Sequence, residues 1–357
     1  MKVCPACQAE YSDEAAFCSH DRSPLNPSRN GDRDGGELVG HVVGERYQVQ
    51  RRIGGGGMGE VYLARHVLMG RPSALKVLNR TLMQDPDAIT RMSREATNAS
   101  RISHPNVCAV YDFGLTGDGL VFLAMEYVEG RTLSSLLEEG GALPVFRAAR
   151  LMAQCAAGLQ AAHDLGIVHR DLKPDNIMVV TGGEEETVKL VDFGIAKAIA
   201  GDDGVGGQGV TRSGFIVGTP EYMSPEQLAG APLDARSDQY SLGLVFYQMI
   251  TGRLPFEGDS LRGALAKRLT DPPRPLSAAN PGGGFPAGLE ESVRRALSRD
   301  PGSRHASVQA FADSVARAAA GGPAPVPGGA PGSARRLRWI GIVLAAAAIG
   351  AALWWLA

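Results

Sequence analysis

Apolar and polar positions change their spacing along this chain of 357 residues. Two early runs, 60–64 and 73–78, are short and rich in β-branched and aromatic residues, which predicts strands. Residues 91–102 are predicted to form a helix, and residues 143–165 and 237–252 repeat apolar residues at the spacing of core helices. The pattern therefore predicts a strand-rich region followed by a mainly helical one.

Glycines precede the first of these strands. Gly54, Gly56 and Gly59 fit the pattern G-x-G-x-x-G, in which backbone amides approach phosphate oxygens because no Cβ intervenes. Alone, the match is also typical of a glycine-rich hairpin turn. A dinucleotide-binding fingerprint needs a helix directly after the glycines, and a Walker A loop needs a terminal Gly-Lys-Ser/Thr. Neither follows here, so we predict strand, glycine loop, strand.

A lysine and a glutamate come next. Lys76 stands between apolar residues of the second strand, where most lysines are solvated outward residues. Its spacing after the glycine loop favours a role in binding. Glu95 lies within the predicted helix, where a lone glutamate usually faces solvent. We single it out as a partner for Lys76.

The most informative segment is 169–176, His-Arg-Asp-Leu-Lys-Pro-Asp-Asn, followed by Asp-Phe-Gly at 192–194. It places a carboxylate, an amine, an amide and a second carboxylate at short spacing after an apolar run. That set suits the positioning of a hydroxyl nucleophile and Mg²⁺ against a triphosphate, because phosphoryl transfer depends mainly on positioned charge.

These motifs occur together in the order and spacing of a known family. Over residues 47 to about 315 the chain resembles the eukaryotic-like (Hanks-type) serine/threonine protein kinases of bacteria. The resemblance implies an α+β, bilobal protein kinase fold within residues 44–317. We expect a small antiparallel β lobe with one helix (47–124), a hinge (125–130) and a larger, mainly α-helical lobe (131–317), with ATP in the cleft between them.

The resemblance also implies roles for single residues. Nucleotide contacts are expected from Ile53, Gly54, Gly56, Gly59, Val61, Ala74, Lys76, Glu126 and Val128, with Met125 as gatekeeper. Lys76 would grip the α- and β-phosphates and pair with Glu95. Catalysis would use Asp171 to orient the substrate hydroxyl, Lys173 to steady the γ-phosphate, and Asn176 and Asp192 to hold Mg²⁺ or Mn²⁺.

Further residues are expected to support this site. By resemblance, Glu226 pairs with Arg304 and Asp238 braces the catalytic loop. The segment 218–226 looks like the end of an activation segment, with Ser224 where the family usually has alanine. We expect no loss of activity from that difference. Lys173 and the pair Gly218-Thr219 both resemble the serine/threonine branch of the family.

A long loop between Asp192 and Glu226 is glycine-rich at 201–209, which predicts mobility because little apolar surface offsets its ordering. Thr211 and Ser213 follow. A phosphate there would carry about −2 charge and could be met by Arg170. We predict autophosphorylation in trans at one of them, for which a homodimer is one arrangement. The alternative is that both hydroxyls are ordinary loop residues.

The N-terminal segment 1–21 resembles half of a small zinc ribbon. Cys4 and Cys7 form a C-x₂-C knuckle and Cys18 follows, with Asp21 or His20 as the fourth ligand. The alternative is a disordered arm with free thiols. Residues 22–43 carry few apolar groups, which predicts a linker to the kinase region.

The C-terminal end combines a linker and an apolar run. Residues 318–334 are rich in proline, glycine and alanine, and three arginines lie among residues 335–338. Residues 337–357 predict a transmembrane helix, since the uncharged part spans roughly 29 Å. The arginines place its N-terminal side in the cytoplasm, so we expect a single-pass inner-membrane protein with a cytoplasmic kinase domain. A soluble alanine-rich helix is the alternative.

Bulk properties narrow the classes of partner. The net charge is −2, which argues against nucleic-acid binding, and five cysteines with three clustered do not suggest a disulfide framework. The expected partners are ATP, protein substrates and a membrane. A catalytically silent scaffold that binds nucleotide is the competing function, but the intact set of polar motif residues favours catalysis.

Overall fold

The computed structural model describes residues 38–56, 59–78, 86–182, 185–193 and 220–321, together with the backbone of three two-residue strands nearer the N-terminus. Those three strands form one antiparallel sheet in the order β2-β1-β3, with bounds β1 Lys2–Val3, β2 Glu10–Tyr11 and β3 Asn26–Pro27.

The small lobe is built on a six-stranded antiparallel sheet in the order β4-β5-β6-β7-β9-β8. Its strands are β4 Val42–Val43, β5 Tyr47–Gly56, β6 Gly59–His66, β7 Pro72–Leu78, β8 Val110–Leu115 and β9 Val121–Glu126. One helix, α1 Pro86–Ser100, packs against this sheet. The sheet begins earlier than predicted, because Val42 pairs with Gln48. The predicted linker 22–43 thus contains paired strand residues at 26–27 and 42–43.

Two apolar clusters cover the two faces of this sheet. One centres on Tyr47, Tyr62 and Phe122. The other joins the sheet to α1 through Met92 and Ala96, which meet Leu123 of β9. The alternation of buried residues between faces follows from the twofold repeat of a strand, so the sheet is covered on both sides.

The large lobe is mainly helical, as predicted. A small antiparallel sheet, β10 Arg131–Thr132, β11 Ile177–Val180 and β12 Thr187–Leu190, lies beside the hinge. The helices are α2 Leu133–Gly140, α3 Val145–His163, α4 Pro225–Leu228, α5 Ala235–Thr251, α6 Leu261–Thr270, α7 Leu276–Ala279, α8 Leu289–Ala296 and α9 Val308–Ala319. Short 3₁₀ helices occupy Pro174–Asn176, Pro220–Tyr222 and Pro301–Ser303.

Helix α5 lies at the centre of the large lobe. It is buried around nearly all of its circumference: its N-terminal part buries polar side chains, among them Asp238 and Gln239, and its C-terminal part is mainly apolar. The Asp234 side chain accepts a hydrogen bond from Arg236 N and begins the helix. Gly252 ends it with a left-handed backbone (φ +74°), and its amide donates to Gln248 O. The element therefore has sharp ends as well as a buried body.

The bilobal kinase fold expected from the resemblance is confirmed by this arrangement of a β lobe and a helical lobe. Within the described residues, no helix is long and apolar enough to span a bilayer. The predicted transmembrane segment 337–357 and residues 322–334 of the predicted linker 318–334 lie outside the described residues.

Candidate active site

The glycine loop joins β5 to β6 as a hairpin. Gly54 pairs with Val61 and Gly56 with Gly59, so strand, glycine loop and strand follow one another. Gly59 has a positive φ of 149°, and a Cβ there would lie 2.1 Å from Val77 O. Only glycine allows this close approach of the loop to β7. A Cβ on Gly54 would meet nothing within 4 Å, which leaves its backbone open on that side.

Lys76 bridges the lobes. Its Nζ donates to Asp192 Oδ2 at 2.8 Å, and its side chain is 10% exposed. Burial opposes ionisation of the Asp192 carboxyl, yet the charge and hydrogen bond of Lys76 outweigh it and lower the pKa of that carboxyl. The cleft thus holds an ionised carboxylate beside an ammonium group.

The predicted partner of Lys76 was Glu95. No ion pair between them is found among the described residues, and Lys76 instead contacts Asp192. Glu95 lies on α1 and is partly buried. A lysine has a flexible stem and one compact charge, so it binds whichever carboxylate the backbone brings within reach. The role of Glu95 stays a prediction.

The catalytic loop brings three predicted residues together. Asn176 Nδ2 donates to the Asp171 backbone oxygen at 2.7 Å and to Asp171 Oδ2 at 3.1 Å. Lys173 Nζ lies 3.3 Å from Asp171 Oδ2. Because the Asn176 amide nitrogen is used in this way, its Oδ1 oxygen is left as an acceptor.

Backbone bonds tie this loop to the segment that carries Asp192. Val191 N donates to Asn176 O at 3.0 Å, and His169 Nε2 donates to Val191 O at 3.1 Å. Asp192 itself has a positive φ of 60°, which is uncommon for a residue with a Cβ. The segments that carry Asp171 and Asp192 are therefore joined by hydrogen bonds.

Asp238 braces the catalytic loop from below. Its carboxylate accepts from His169 N at 2.8 Å, from Arg170 N at 2.9 Å and from His163 Nε2 at 2.7 Å. Arg170 has a positive φ of 63°, and these bonds hold that strained backbone. Burial opposes ionisation of Asp238, but the His163 hydrogen bond and the neighbouring charges lower its pKa.

A second buried anchor lies beside it. Arg304 donates to both Glu226 oxygens, at 2.7 and 2.8 Å, and Ser237 Oγ adds a third bond to Glu226 at 2.7 Å. The structure thus brings Glu226 and Arg304 together as a bidentate pair. Ser224 caps α4 through a capping box with Gln227. Gln227 Nε2 then donates to Arg170 O at 2.7 Å, which joins this region to the catalytic loop.

The predicted adenine contacts form one apolar cluster. Ala74 and Met125 are buried in it, and Ile53, Val61 and Val128 pack against them. Glu126 N donates to Ala109 O, and its carboxylate binds Lys189 at 2.7 Å, which fixes the start of the hinge. Among the described residues, the backbone of Val128 makes no hydrogen bond and is free for a ligand.

Several predicted residues fall outside the described part of the chain. They are Cys4, Cys7, Cys18 and Asp21, the alternative zinc ligand His20, the proposed phosphosites Thr211 and Ser213, and Thr219. Within the described residues, no group of three or more His, Cys, Asp or Glu side chains is arranged to hold a metal.

Sequence reasoning missed some supporting residues. His163 and Gln227 bind the catalytic loop from positions distant in sequence, and neither belongs to a motif used above. A polar residue at the end of an apolar helix was the only signal for His163. Arg268, a buried arginine of the large lobe, gave no signal because arginine is common on exposed helix faces.

Comparison with known proteins agrees with this geometry. The model of the protein kinase domain family matches residues 47–312. The serine/threonine-protein kinase pkn3 of Myxococcus xanthus is 45% identical over 279 residues, which cover 78% of this chain and 51% of that protein. PknB of Mycobacterium tuberculosis is 38% identical over 288 residues, 80% of this chain and 45% of PknB.

A solved structure extends the likeness to three dimensions. The crystal structure of the M. tuberculosis PknI kinase domain superposes with a TM-score of 0.63 at 32% identity, covering 80% of this chain and 99% of that domain. The chain spans about half the length, or less, of the first curated relatives that it matches. With a matching family model over most of its length and a bilobal fold built around Lys76, Asp171 and Asp192, the chain belongs to the protein kinase family.

Proposed function

We propose that this protein is a serine/threonine protein kinase that transfers the γ-phosphate of ATP to protein hydroxyls. The observation that carries the proposal is that two pairs of polar residues lie at one cleft. Lys76 and Asp192 bridge the lobes at 2.8 Å, and the hydrogen-bonded Asp171 and Asn176 lie on the adjoining loop. The curated relatives are serine/threonine kinases, which supports the choice of hydroxyl.

Each side chain has a role that its surroundings suit. Asp171 accepts or orients the proton of the substrate hydroxyl, and the Asn176 amide holds its carboxylate in place. Lys173, 3.3 Å from the same carboxylate, steadies the transferred phosphate. Lys76 binds the α- and β-phosphates. The apolar cluster around Ala74 accommodates adenine.

The oxygen atoms of Asp192 and Asn176 are suitable ligands for Mg²⁺. Asp192 is ionised, and Asn176 has an amide oxygen that is not used by its own hydrogen bonds. Carboxylate and amide oxygens are the ligands that Mg²⁺ prefers, and Mn²⁺ accepts the same set. When bound, the metal neutralises charge on the β- and γ-phosphates. Asp192 and Asn176 would hold it.

Transfer of labelled phosphate from Mg·ATP to protein tests the proposal, with Asp171→Asn as the decisive variant. We expect the wild type to transfer phosphate and Asp171→Asn to lose at least about 10³-fold in rate. Asp175→Asn is the matched control, because Asp175 is exposed and lies four residues away. Nucleotide binding without any transfer by the wild type would favour a silent scaffold instead.

Activation by autophosphorylation is part of the proposal. The Arg170 Nε atom is buried and has no hydrogen-bond partner among the described residues, so this N–H is available to donate to a phosphate. Thr211 or Ser213 would supply that phosphate in trans, within a homodimer. Phosphosite mapping of the wild type beside Lys76→Met should find a site at one of them. Full activity of the Thr211→Ala/Ser213→Ala double variant would contradict this.

Two appendages complete the proposed protein. Residues 337–357 would tether the kinase domain to the inner membrane from its cytoplasmic side, supported by their uncharged sequence and the preceding arginines. Cys4, Cys7 and Cys18, with Asp21 or His20, would bind one Zn²⁺. Release from the membrane fraction on removal of 337–357 tests the first, and one equivalent of zinc lost in Cys4→Ser/Cys7→Ser tests the second.

A further inference from the structure

Arg268 is a buried cation in the large lobe that the proposed chemistry does not use. It lies on α6 and is 1% exposed. Among the described residues it has no carboxylate partner, and its guanidinium carbon lies 5.7 Å from the centroid of the Phe256 ring. Burial lowers the pKa of this group, opposed by nearby Tyr240 and Glu221. A buried charge is costly unless polar groups surround it, so its partners are informative.

Those partners are backbone carbonyls of one short segment. Arg268 Nη1 donates to Pro220 O at 3.0 Å and to Met223 O at 2.7 Å, and Nη2 donates to Glu221 O at 2.5 Å. The remaining carbonyl of the segment, Tyr222 O, accepts from Ser241 Oγ at 2.8 Å. All four successive carbonyls of 220–223 are therefore held by side chains of the large lobe, three of them by one guanidinium.

The planar fork of arginine explains this choice of residue. Two nitrogen atoms in a fixed plane reach carbonyls that point in different directions, which a lysine ammonium cannot match with the same geometry. Arg268 Nε has no hydrogen-bond partner among the described residues. The orientation of the guanidinium is thus set by segment 220–223, and the shape of the segment is set by the guanidinium.

Segment 220–223 is linked directly to the catalytic loop. It leads into Ser224, whose capping box holds Gln227, and Gln227 Nε2 donates to Arg170 O, one residue before Asp171. Segment 220–223 is therefore joined, through α4, to the residue next to Asp171, the proposed acceptor of the substrate hydroxyl proton. Among the described residues, the hydrogen bonds of Arg268 go to segment 220–223 and none goes to Lys76.

We infer that Arg268 is a positioning residue for the protein substrate: it holds the backbone of 220–223 in the shape that presents a peptide to Asp171. The inference rests on the proposed kinase function. It assigns Arg268 an effect on peptide binding and leaves ATP binding unaffected.

The test compares Michaelis constants for two substrates in the full chain. The peptide is the best one that the wild type phosphorylates from an arrayed serine/threonine peptide library, and the other substrate is Mg·ATP. We expect Arg268→Met to raise KM for the peptide about tenfold, with KM for ATP within about twofold of the wild type. Arg268→Lys keeps the charge without the fork and should give a smaller rise of the same kind.

Arg299→Met is the matched control. The Arg299 guanidinium also donates to two backbone carbonyls, Leu269 O at 3.0 Å and Thr270 O at 2.9 Å, but it is exposed and, among the described residues, makes no hydrogen bond to 220–223. Both Michaelis constants should stay within about twofold in this variant.

The outcomes separate the inference from the function on which it rests. No transfer by the wild type contradicts the proposed function. Wild-type transfer with an unchanged peptide KM in Arg268→Met, or with both constants raised together, overturns the role of Arg268 alone. If Arg268→Met does not fold, Arg268→Lys decides: an unchanged peptide KM in that variant also overturns the inference.

Discussion

Two regions of the large lobe and cleft differ in how many of their polar atoms are already hydrogen-bonded within the protein. One is the framework beneath the catalytic loop, formed by Asp238, Glu226 and their partners; the other is the set of groups that line the cleft. Among the described residues, the Asp238 carboxylate accepts three hydrogen bonds from three residues, and the Glu226 carboxylate accepts three from Arg304 and Ser237. Among the described residues of the cleft, the Asn176 Oδ1 oxygen and the Val128 backbone have no hydrogen-bond partner, and Lys76 makes one hydrogen bond, to Asp192. Satisfied polar groups stabilise the fold, whereas open ones are available for a ligand. Substitutions in the two regions should therefore separate stability from catalysis.

The largest expected effect is on stability, from Arg304→Met in the framework. This change leaves the buried Glu226 carboxylate without its bidentate partner, which should lower the free energy of unfolding by about 3–5 kcal/mol. Chemical denaturation measures the loss. Arg294→Met is the control, because Arg294 is 58% exposed and forms an i,i+3 pair that should contribute no more than about 0.5 kcal/mol. Equal losses in both variants would contradict the comparison.

In the cleft, Lys76→Met should act mainly on catalysis. Removing the electrostatic contact to the α- and β-phosphates, which positions ATP for transfer, is expected to reduce the rate of transfer by about 10²–10³-fold. Lys267→Met serves as the control, since the Lys267 ammonium lies on α6 and, among the described residues, donates to Glu257 O alone. Radiolabel transfer under saturating ATP measures both. Wild-type rates in the Lys76→Met protein would show that Lys76 does not take part in phosphate transfer.

The decline of the free energy of unfolding at acid pH should depend on Glu226. Burial opposes its ionisation, but Arg304 outweighs burial and lowers the pKa of this carboxyl below its ordinary 4.5. A lowered pKa stabilises the fold above the ordinary value, and that stabilisation is lost as the pH falls through the lowered one. Unfolding free energy should decline below about pH 4.5 in the wild type.

Glu226→Gln should start from a lower stability at neutral pH and decline less steeply in acid, because the titrating group is gone. Denaturation midpoints between pH 3 and pH 7 provide the measurement. Glu185→Gln, at an exposed position, is the control and should follow the wild-type curve. Parallel acid limbs in Glu226→Gln and the wild type would show that other carboxyls dominate.

Much of the site could be predicted because its chemistry is concentrated in short segments. Asp171, Lys173 and Asn176 lie within six residues, so their spacing alone indicated that they act together. Contacts between distant segments could not be read in the same way. Lys76 reaches Asp192 across 116 positions, and only the relative placement of the lobes decides between Asp192 and Glu95.

The missed elements share another cause. Val42–Val43 is a strand only because β5 lies beside it, and two residues carry no periodic signal. Arg268 resembles any exposed arginine of a helix until the carbonyls of 220–223 are placed against it. Tertiary contacts with the backbone leave no pattern in side-chain spacing, which is why the framework was less predictable than the cleft.

The smallest expected effect lies where the two regions meet, at Ser224. The family usually has alanine there, and here the serine hydroxyl accepts from Gln227 N at 3.3 Å as part of a capping box. Ser224→Ala should lower the free energy of unfolding by about 1 kcal/mol, the usual cost of a lost N-cap. Gln227 keeps its bond to Arg170 O in this variant, so the rate of phosphate transfer should fall by less than about threefold. A large loss of transfer with little loss of stability would instead place Ser224 among the catalytic supports, and the boundary between framework and cleft would have to be moved to include α4.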